Sequence, residues 1–219
     1  CMTAVDEEVR AQLPNVIFYD ELIDDESDEY EWPELDENAP SSLCYTSGTT
    51  GNPKGVLYTN RSTVLHSFAA SLPDSMNLSS QDTVLPVVPM FHANAWGLPY
   101  AAAMIGTSLM LPGPNLDGHS LAAMIDEYKV NVAVGVPTIW QSLLVAAKET
   151  GTKLPSLKRN VVGGSACPSS MIKAFRDEFD CETLHAWGMT ETSPLGTANQ
   201  LKAKHSHLSE EDKLKMRLT

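Results

Sequence analysis

Residues 45–56 read Tyr45-Thr46-Ser47-Gly48-Thr49-Thr50-Gly51-Asn52-Pro53-Lys54-Gly55-Val56. Four hydroxyl side chains, three glycines and one lysine fall within residues 46–55, flanked by the apolar runs Leu43-Cys44-Tyr45 and Val56-Leu57-Tyr58. An apolar run, a polar loop and a second apolar run predict strand, loop, strand. Glycine lets the backbone approach a ligand and turn its N–H groups toward one point, which makes an anion nest. The hydroxyls add neutral donors and Lys54 adds a full positive charge, so the stretch has what a polyphosphate needs. Solvated loops share this composition, but the string is more specific than composition alone. The Walker pattern requires a second glycine after four intervening residues, then Lys and Ser/Thr. Counted from Gly48 that place holds Pro53, and Lys54 is followed by Gly55, which argues against a P-loop NTPase.

With 219 residues, 42% of them hydrophobic, the chain can bury a core in one or two domains. Its net charge of −13 is local. Residues 20–38 hold eleven acids and no Lys or Arg, and the rest is nearly balanced at 17 acids against 15 bases. The acidic stretch is expected to be a solvated linker. No basic patch suits a nucleic acid. Cys1, Cys44, Cys167 and Cys181 form no CxxC pair, so free thiols in a reducing compartment are expected rather than disulfides or a zinc site. No apolar run reaches the ~18 residues of a membrane span, and no signal peptide is visible. A cytoplasmic location is the expectation. The chain starts at Cys1 and stops at Thr219 without a stop signal, which reads as a piece of a longer protein.

Downstream, strand and helix patterns alternate. Residues 5–13 read as a helix end and 15–19 as a strand. Residues 59–72 predict a helix capped by Thr59 or Asn60, with Val64, Leu65, Phe68, Ala69 and Leu72 on one face and a structural His66 beside them. Strands are expected at 84–88, 108–111, 132–134, 157–162 and 182–185. Helices are expected at 98–105, 121–128, 168–179 and from Pro137 to about Lys148, proline suiting a first helical turn. From Leu201 the tail reads as a peripheral helix or disorder, with Leu214, Met216 and Leu218 poorly supported as core. The alternation predicts an α/β fold with a mostly parallel, doubly wound sheet and helices on both faces. Ligands of such sheets sit in the loops after the strands, here residues 90–97, 163–167 and 186–193.

The string Thr46–Gly55 resembles the phosphate loop of the adenylate-forming (acyl-activating) superfamily, which includes acyl-CoA synthetases, luciferases and peptide-synthetase adenylation domains. Two later stretches extend the resemblance, which runs from about residue 32 to 200. Ala186-Trp187-Gly188-Met189-Thr190-Glu191-Thr192-Ser193 is similar to its aromatic-Gly-x-Thr-Glu motif, and Val161-Val162-Gly163-Gly164-Ser165-Ala166 to the turn that lines the adenine pocket. The resemblance implies that Thr46, Ser47, Gly48, Thr49, Thr50, Gly51 and Lys54 cradle the phosphates. It places Gly163, Gly164, Ser165, Ala166, Trp187, Gly188 and Met189 around the adenine, Thr190 on a phosphate and Glu191 on Mg2+. A hard cation prefers carboxylate and phosphate oxygens. Trp187 stands where many relatives carry Tyr, and either ring offers a stacking face.

His92 and Trp96 are four apart and share a face if their stretch is helical. In acyl-CoA synthetases the matching His lies near the substrate carboxylate and an aromatic gates the acyl tunnel, with Gly188 also on the substrate side. An imidazole there can steady negative charge. The His-Ala-x-x-Trp form resembles fatty-acyl and related short- and medium-chain ligases.

The resemblance implies part of a large N-terminal domain. Residues 1–40 would end a preceding subdomain and form the acidic linker, 41–200 the nucleotide- and acyl-binding core, and 201–219 a peripheral tail. An Asp on the ribose, an Arg and a lysine of a C-terminal domain complete the family's site, and nothing in 202–219 resembles them. The implied activity uses ATP, Mg2+ and coenzyme A to turn a carboxylic acid, fatty or related aliphatic, into acyl-AMP and then a thioester. Catalytic roles fall to His92, Lys54, Thr190 and Glu191. The implied partners are the acid and coenzyme A, with a homodimer as the assembly, no nucleic acid and no transmembrane segment. Two alternatives stay open: a non-catalytic nucleotide-binding fragment, and an adenylation domain loading a carrier protein.

Overall fold

Asp6 accepts hydrogen bonds from the N–H groups of Glu8 and Val9 and so starts α1 (Glu7–Gln12). The computed structural model describes residues 6–13, 15–24, 26–47 and 51–217, in two compact units, 1–35 and 36–219. In the first unit residues 15–18 are a turn and irregular backbone, where the apolar run 15–19 predicts a strand, and α2 (Tyr19–Asp24) follows. That expectation fails for a physical reason. A strand needs a partner, the described residues of this unit contain no other strand, and Asp20 and Glu21 suit the positive end of a helix. Phe18 is fully buried, with the Arg10 guanidinium 4.9 Å from its ring centroid.

The second unit opens with an antiparallel hairpin, β1 (Pro40–Thr46) and β2 (Lys54–Thr59), pairing Thr46 with Lys54 at the two ends of the connecting loop. Strand, loop, strand is what residues 43–58 predict. Leu43, Tyr45 and Leu57 face outward while Cys44 and Tyr58 are buried, the period-two alternation of a half-buried ribbon. α3 (Asn60–Ser71) follows, capped by the Thr59 hydroxyl, which accepts from the Ser62 N–H, while the Ser62 hydroxyl accepts from the Thr59 N–H. Its orientation differs from the pattern. Val64, Leu65, Phe68 and Leu72 face outward, and His66, Ser67 and Ala70 are buried.

Then come β3 (Thr83–Val87), the short turn α4 (Ala93–Trp96), α5 (Leu98–Ile105), β4 (Ser108–Leu109), α6 (Gly118–Glu127), β5 (Val132–Gly135), α7 (Pro137–Thr150), β6 (Arg159–Val162), α8 (Ser169–Phe179), β7 (Glu182–Gly188), β8 (Leu195–Ala198) and α9 (Glu210–Arg217). The sheet order is β4-β3-β5-β6-β7-β8, parallel throughout except that β8 runs antiparallel to β7. Alternate strand residues serve opposite faces. Leu85, Ala133 and Val162 pack with Leu121, Ile125, Trp140, Leu143 and Phe175 of α6, α7 and α8. Val84, Val132, Val134 and Val161 pack with Ala70, Leu98 and Ala101 of α3 and α5. Helices therefore cover both faces. Burial on both faces also explains why β5 reads as an unbroken apolar run. Pro86 is tolerated within β3 because β4 pairs only with Thr83 and Val84, so Pro86 has a neighbouring strand on one side alone.

β7 runs three residues past its predicted end because β8 pairs with Ala186, Trp187 and Gly188. The tail is also better anchored than its composition suggests. Leu214 joins the core, Arg217 donates to the Thr183 carbonyl at 3.2 Å, and Asn199 donates to the Arg217 carbonyl at 2.9 Å. Leu218 lies outside the described residues. At the start of the strands the buried Asp82 carboxylate accepts from Asn131 at 2.7 Å, Arg159 at 3.0 Å and the Ser79 N–H at 2.7 Å, tying β3, β5 and β6 together. No helix among the described residues is long and apolar enough to cross a membrane.

Candidate active site

At the carboxyl ends of β3, β6 and β7, the loops that follow them meet the hairpin around a cavity of about 410 Å3. The hairpin contributes Thr46, Ser47 and Lys54. The loop after β3 brings His92, Ala93 and Trp96, and the turn after β6 brings Gly163 and Gly164. The end of β7 and its turn supply Ala186, Trp187, Gly188, Met189, Thr190 and Glu191, with Pro194 and Leu195 closing one side. Concave sites of this size at strand carboxyl ends are where α/β sheets hold small ligands. Lys54 and Glu191 are exposed, and among the described residues neither makes an ion pair, so both charges are open to a ligand.

Not every sequence-predicted residue arrives there. Gly48, Thr49 and Thr50 lie outside the described residues. Gly51, at φ 140°, is exposed and does not line the cavity. Ser165 and Ala166 sit on the exposed far side of their turn, away from the lining. A Cβ at Gly163 would lie 2.8 Å from Cη2 of Trp96, so the glycine turn is the seat of the Trp96 indole as well as a wall of the cavity.

Trp187 is 53% exposed. A Cβ at Gly196 of β8 would stand 2.6 Å from its Cζ3, so the ring is seated closely against glycine backbone and keeps area free for a ligand. The sequence marks this seat only by a lone glycine. The turn Thr190–Thr192 is held at its base by the Met189 N–H donating to the Thr192 hydroxyl at 2.9 Å, which also donates to the Pro194 carbonyl. From the other side the buried Tyr58 hydroxyl donates to the Thr190 carbonyl at 2.6 Å. Burial, then the nearby Cys44 and Glu191, push the Tyr58 pKa up to about 12, so it remains a donor at neutral pH. Tyr58 thus ties the β1–β2 hairpin to the turn bearing Glu191. No motif signals it, because its partner lies 132 residues away.

His92 and Trp96 both line the cavity, though not on the helix face that their spacing suggests. His92 is extended at φ −100°, and Ala93, Asn94, Ala95, Trp96 and Gly97 follow at φ 47°, 53°, 50°, 56° and 75°. The turn is left-handed. For L-residues this costs roughly 1–2 kcal/mol each, so it persists only where its surroundings hold it. The Ala95 N–H donates to the Pro89 carbonyl at 3.2 Å and the Gly97 N–H to Asn94 at 3.0 Å.

Cys44, Cys167 and Cys181 are free and buried, as their scatter predicts, and Cys1 lies outside the described residues. Burial pushes Cys167 up to about 11 and Cys181 to about 12, which leaves neither as a thiolate. Among the described residues no group of three or more His, Cys, Asp or Glu could hold a metal ion.

The sequence profile of the family described as "AMP-binding enzyme" matches residues 2–214. Similar proteins include the medium-chain-fatty-acid–CoA ligase of Ectopseudomonas oleovorans, 60% identical over 207 residues that make up 94% of this chain and 38% of that protein. The 3-methylmercaptopropionyl-CoA ligase of Ruegeria lacuscaerulensis is 58% identical over 96% of this chain and 39% of its own length. The chain therefore spans about two-fifths of these relatives. Among solved structures, a long-chain-fatty-acid-CoA ligase from Archaeoglobus fulgidus aligns with a TM-score of 0.69 at 26% identity, over 82% of this chain and 37% of that one. The N-terminal domain of FACL13 from Mycobacterium tuberculosis aligns with a TM-score of 0.74 at 26% identity, over 87% and 47%. Since the family profile runs through every loop that meets at the cavity, the chain belongs to the AMP-binding enzymes.

Proposed function

We propose that the full-length protein is an AMP-forming acid–thiol ligase acting on a fatty or related aliphatic acid, with ATP, Mg2+ and coenzyme A. One observation carries this reading: Thr46, Ser47 and Lys54, Thr190 and Glu191, and His92 and Trp96 line one cavity although they come from three separated parts of the chain. The names of the medium-chain-fatty-acid and 3-methylmercaptopropionyl ligases point to an aliphatic acid.

In the first step a carboxylate oxygen bonds to the α-phosphorus of ATP, and the bond to the bridging oxygen breaks to release pyrophosphate. Positioning and charge neutralisation do most of such work. Lys54 and the hydroxyls of Thr46, Ser47 and Thr190 hold the phosphates and neutralise the leaving pyrophosphate. Trp187 stacks on the adenine, with Gly188, Met189 and the backbone of Gly163 and Gly164 beside it. His92 donates to the acid's carboxylate and Trp96 bounds the acyl chain. Glu191 is the carboxylate that would hold magnesium, which fits an ion that uses one or two carboxylates plus phosphate oxygens, and among the described residues no cluster could hold a metal alone. Bound there, magnesium would supply positive charge to offset that of the phosphates. In the second step the sulfur of coenzyme A attacks the acyl carbonyl and AMP leaves.

ATP–pyrophosphate exchange on the full-length protein, across acids of increasing length and followed by coenzyme A, tests this. Acid-dependent exchange with thioester formation is expected, and it also identifies the substrate class. No exchange with any acid, despite measurable ATP binding, would sink the ligase reading in favour of nucleotide binding without turnover. Glu191→Ala should lower exchange by at least about a hundredfold, the scale of losing a preorganised electrostatic stabiliser; unchanged exchange removes Glu191 from the metal role.

A further inference from the structure

Asn94 lies at the centre of the left-handed run, at φ 53° and ψ 49°. Among non-glycine residues asparagine tolerates that region best. Both ends of its amide are engaged. Nδ2 donates to the Ser42 hydroxyl at 2.7 Å, and Oδ1 accepts from the Cys44 thiol at 3.6 Å. Ser42 and Cys44 belong to β1, the strand that leads into the phosphate loop at Thr46. On either side of Asn94, Ala93 and Ala95 are buried, so the turn has little room to shift. Its far end is stopped by His66, whose Nδ1 would be 2.5 Å from a Cβ placed on Gly97.

We propose that Asn94 is a positioning residue for the acid. By fastening the left-handed turn to β1 it determines where His92, just before the turn, and Trp96, at its end, stand along the cavity. It acts through those two side chains, since Asn94 itself does not line the cavity. A right-handed turn over the same residues would wind the side chains the opposite way and carry the Trp96 indole off Gly163. The clamp bears on the acyl end alone. Thr46 and Lys54 at the phosphate end are held by their own pairing in the hairpin. The kinetic part of this proposal rests on the ligase reading above; the structural part does not.

The test compares Ser42→Ala, Asn94→Gly and the double variant in the full-length protein. Glycine keeps access to the left-handed backbone while removing the clamp, and Ser42→Ala removes one clamp bond without the backbone freedom that glycine adds. In pyrophosphate exchange, KM for the acid should rise about fivefold in Ser42→Ala, the scale of one net hydrogen bond, with KM for ATP unchanged. The double variant should be no worse than Asn94→Gly, because the two residues act as one unit. Without substrate, amide hydrogen exchange across residues 92–97 should speed up in both single variants. Equal rises in the two KM values, strictly additive effects or unaltered hydrogen exchange would each overturn the proposal. If the wild-type protein shows no acid-dependent exchange, the ligase reading fails, and hydrogen exchange alone still decides whether the clamp exists.

Discussion

His66 shows how far one residue can be read. Its sequence position beside an apolar stripe predicts a structural histidine, and it is buried in α3 against Gly97, with Nε2 lacking a partner among the described residues. Burial lowers its pKa below the ordinary 6.5 because the charged ring is poorly solvated there. The unfolded chain therefore binds the proton more readily. The contribution of His66 to stability is full above about 6.5 and is lost as pH falls below that value toward the folded pKa. Urea midpoints measured from pH 8 down to 5 should fall in the acid range, and His66→Leu should flatten that part of the curve. Gly97 is the partner in this contact. Gly97→Ala meets both a positive φ of 75° and the imidazole at 2.5 Å, and should cost roughly 1–3 kcal/mol in denaturant unfolding. Adding His66→Ala should recover the steric share of that loss. Thr46, Ser47 and Lys54 were legible as residues of one site because they belong to one contiguous string between two apolar runs. Tyr58 and Asn94 were not, since each draws its role from a partner more than 50 residues away or at that distance.

At the scale of elements, local pattern located helices and strands well but did not orient them. α3 carries its large apolar residues outward and packs its small and polar ones inward, where Ala70 is only 1% exposed. A close approach to neighbouring structure selects small side chains, and a periodicity count sees only that a face is apolar. Ala70→Leu should therefore destabilise the 219-residue chain by about 1–3 kcal/mol through overpacking. Phe68→Lys on the outward face should stay within about 0.5 kcal/mol while reducing the binding of a hydrophobic dye. The reverse ranking in denaturation would show that α3 is turned the other way. Residues 15–19 failed as a strand for want of a partner, and the shared face that a right-handed helix would give His92 and Trp96 does not form because residues 93–96 wind with the opposite hand.

Across the larger unit, the site and the scaffold sit at opposite ends of the strands. The loops after β3, β6 and β7 form the cavity, while Asp82 joins the beginnings of β3, β5 and β6 through Asn131 and Arg159. Removing one partner from a buried ion pair leaves the other charge uncompensated. Asp82→Ala should cost about 3–5 kcal/mol in denaturant unfolding with both KM values in pyrophosphate exchange unchanged. A selective rise in the acid's KM would mean that the two ends of the sheet are coupled. Legible in the sequence alone were the α/β alternation, the two-faced burial of the sheet and the three loops whose residues line the cavity. Each of these is written in neighbouring residues, as a period, an apolar run or a short motif. Tertiary structure alone decided the left hand of the turn bearing Trp96, the outward face of α3, the Tyr58–Thr190 tie and the glycine seats under Trp96 and Trp187. Those depend on which distant segments meet, and a hydrogen bond or close contact between residues far apart in the chain leaves no trace in the pattern around either one.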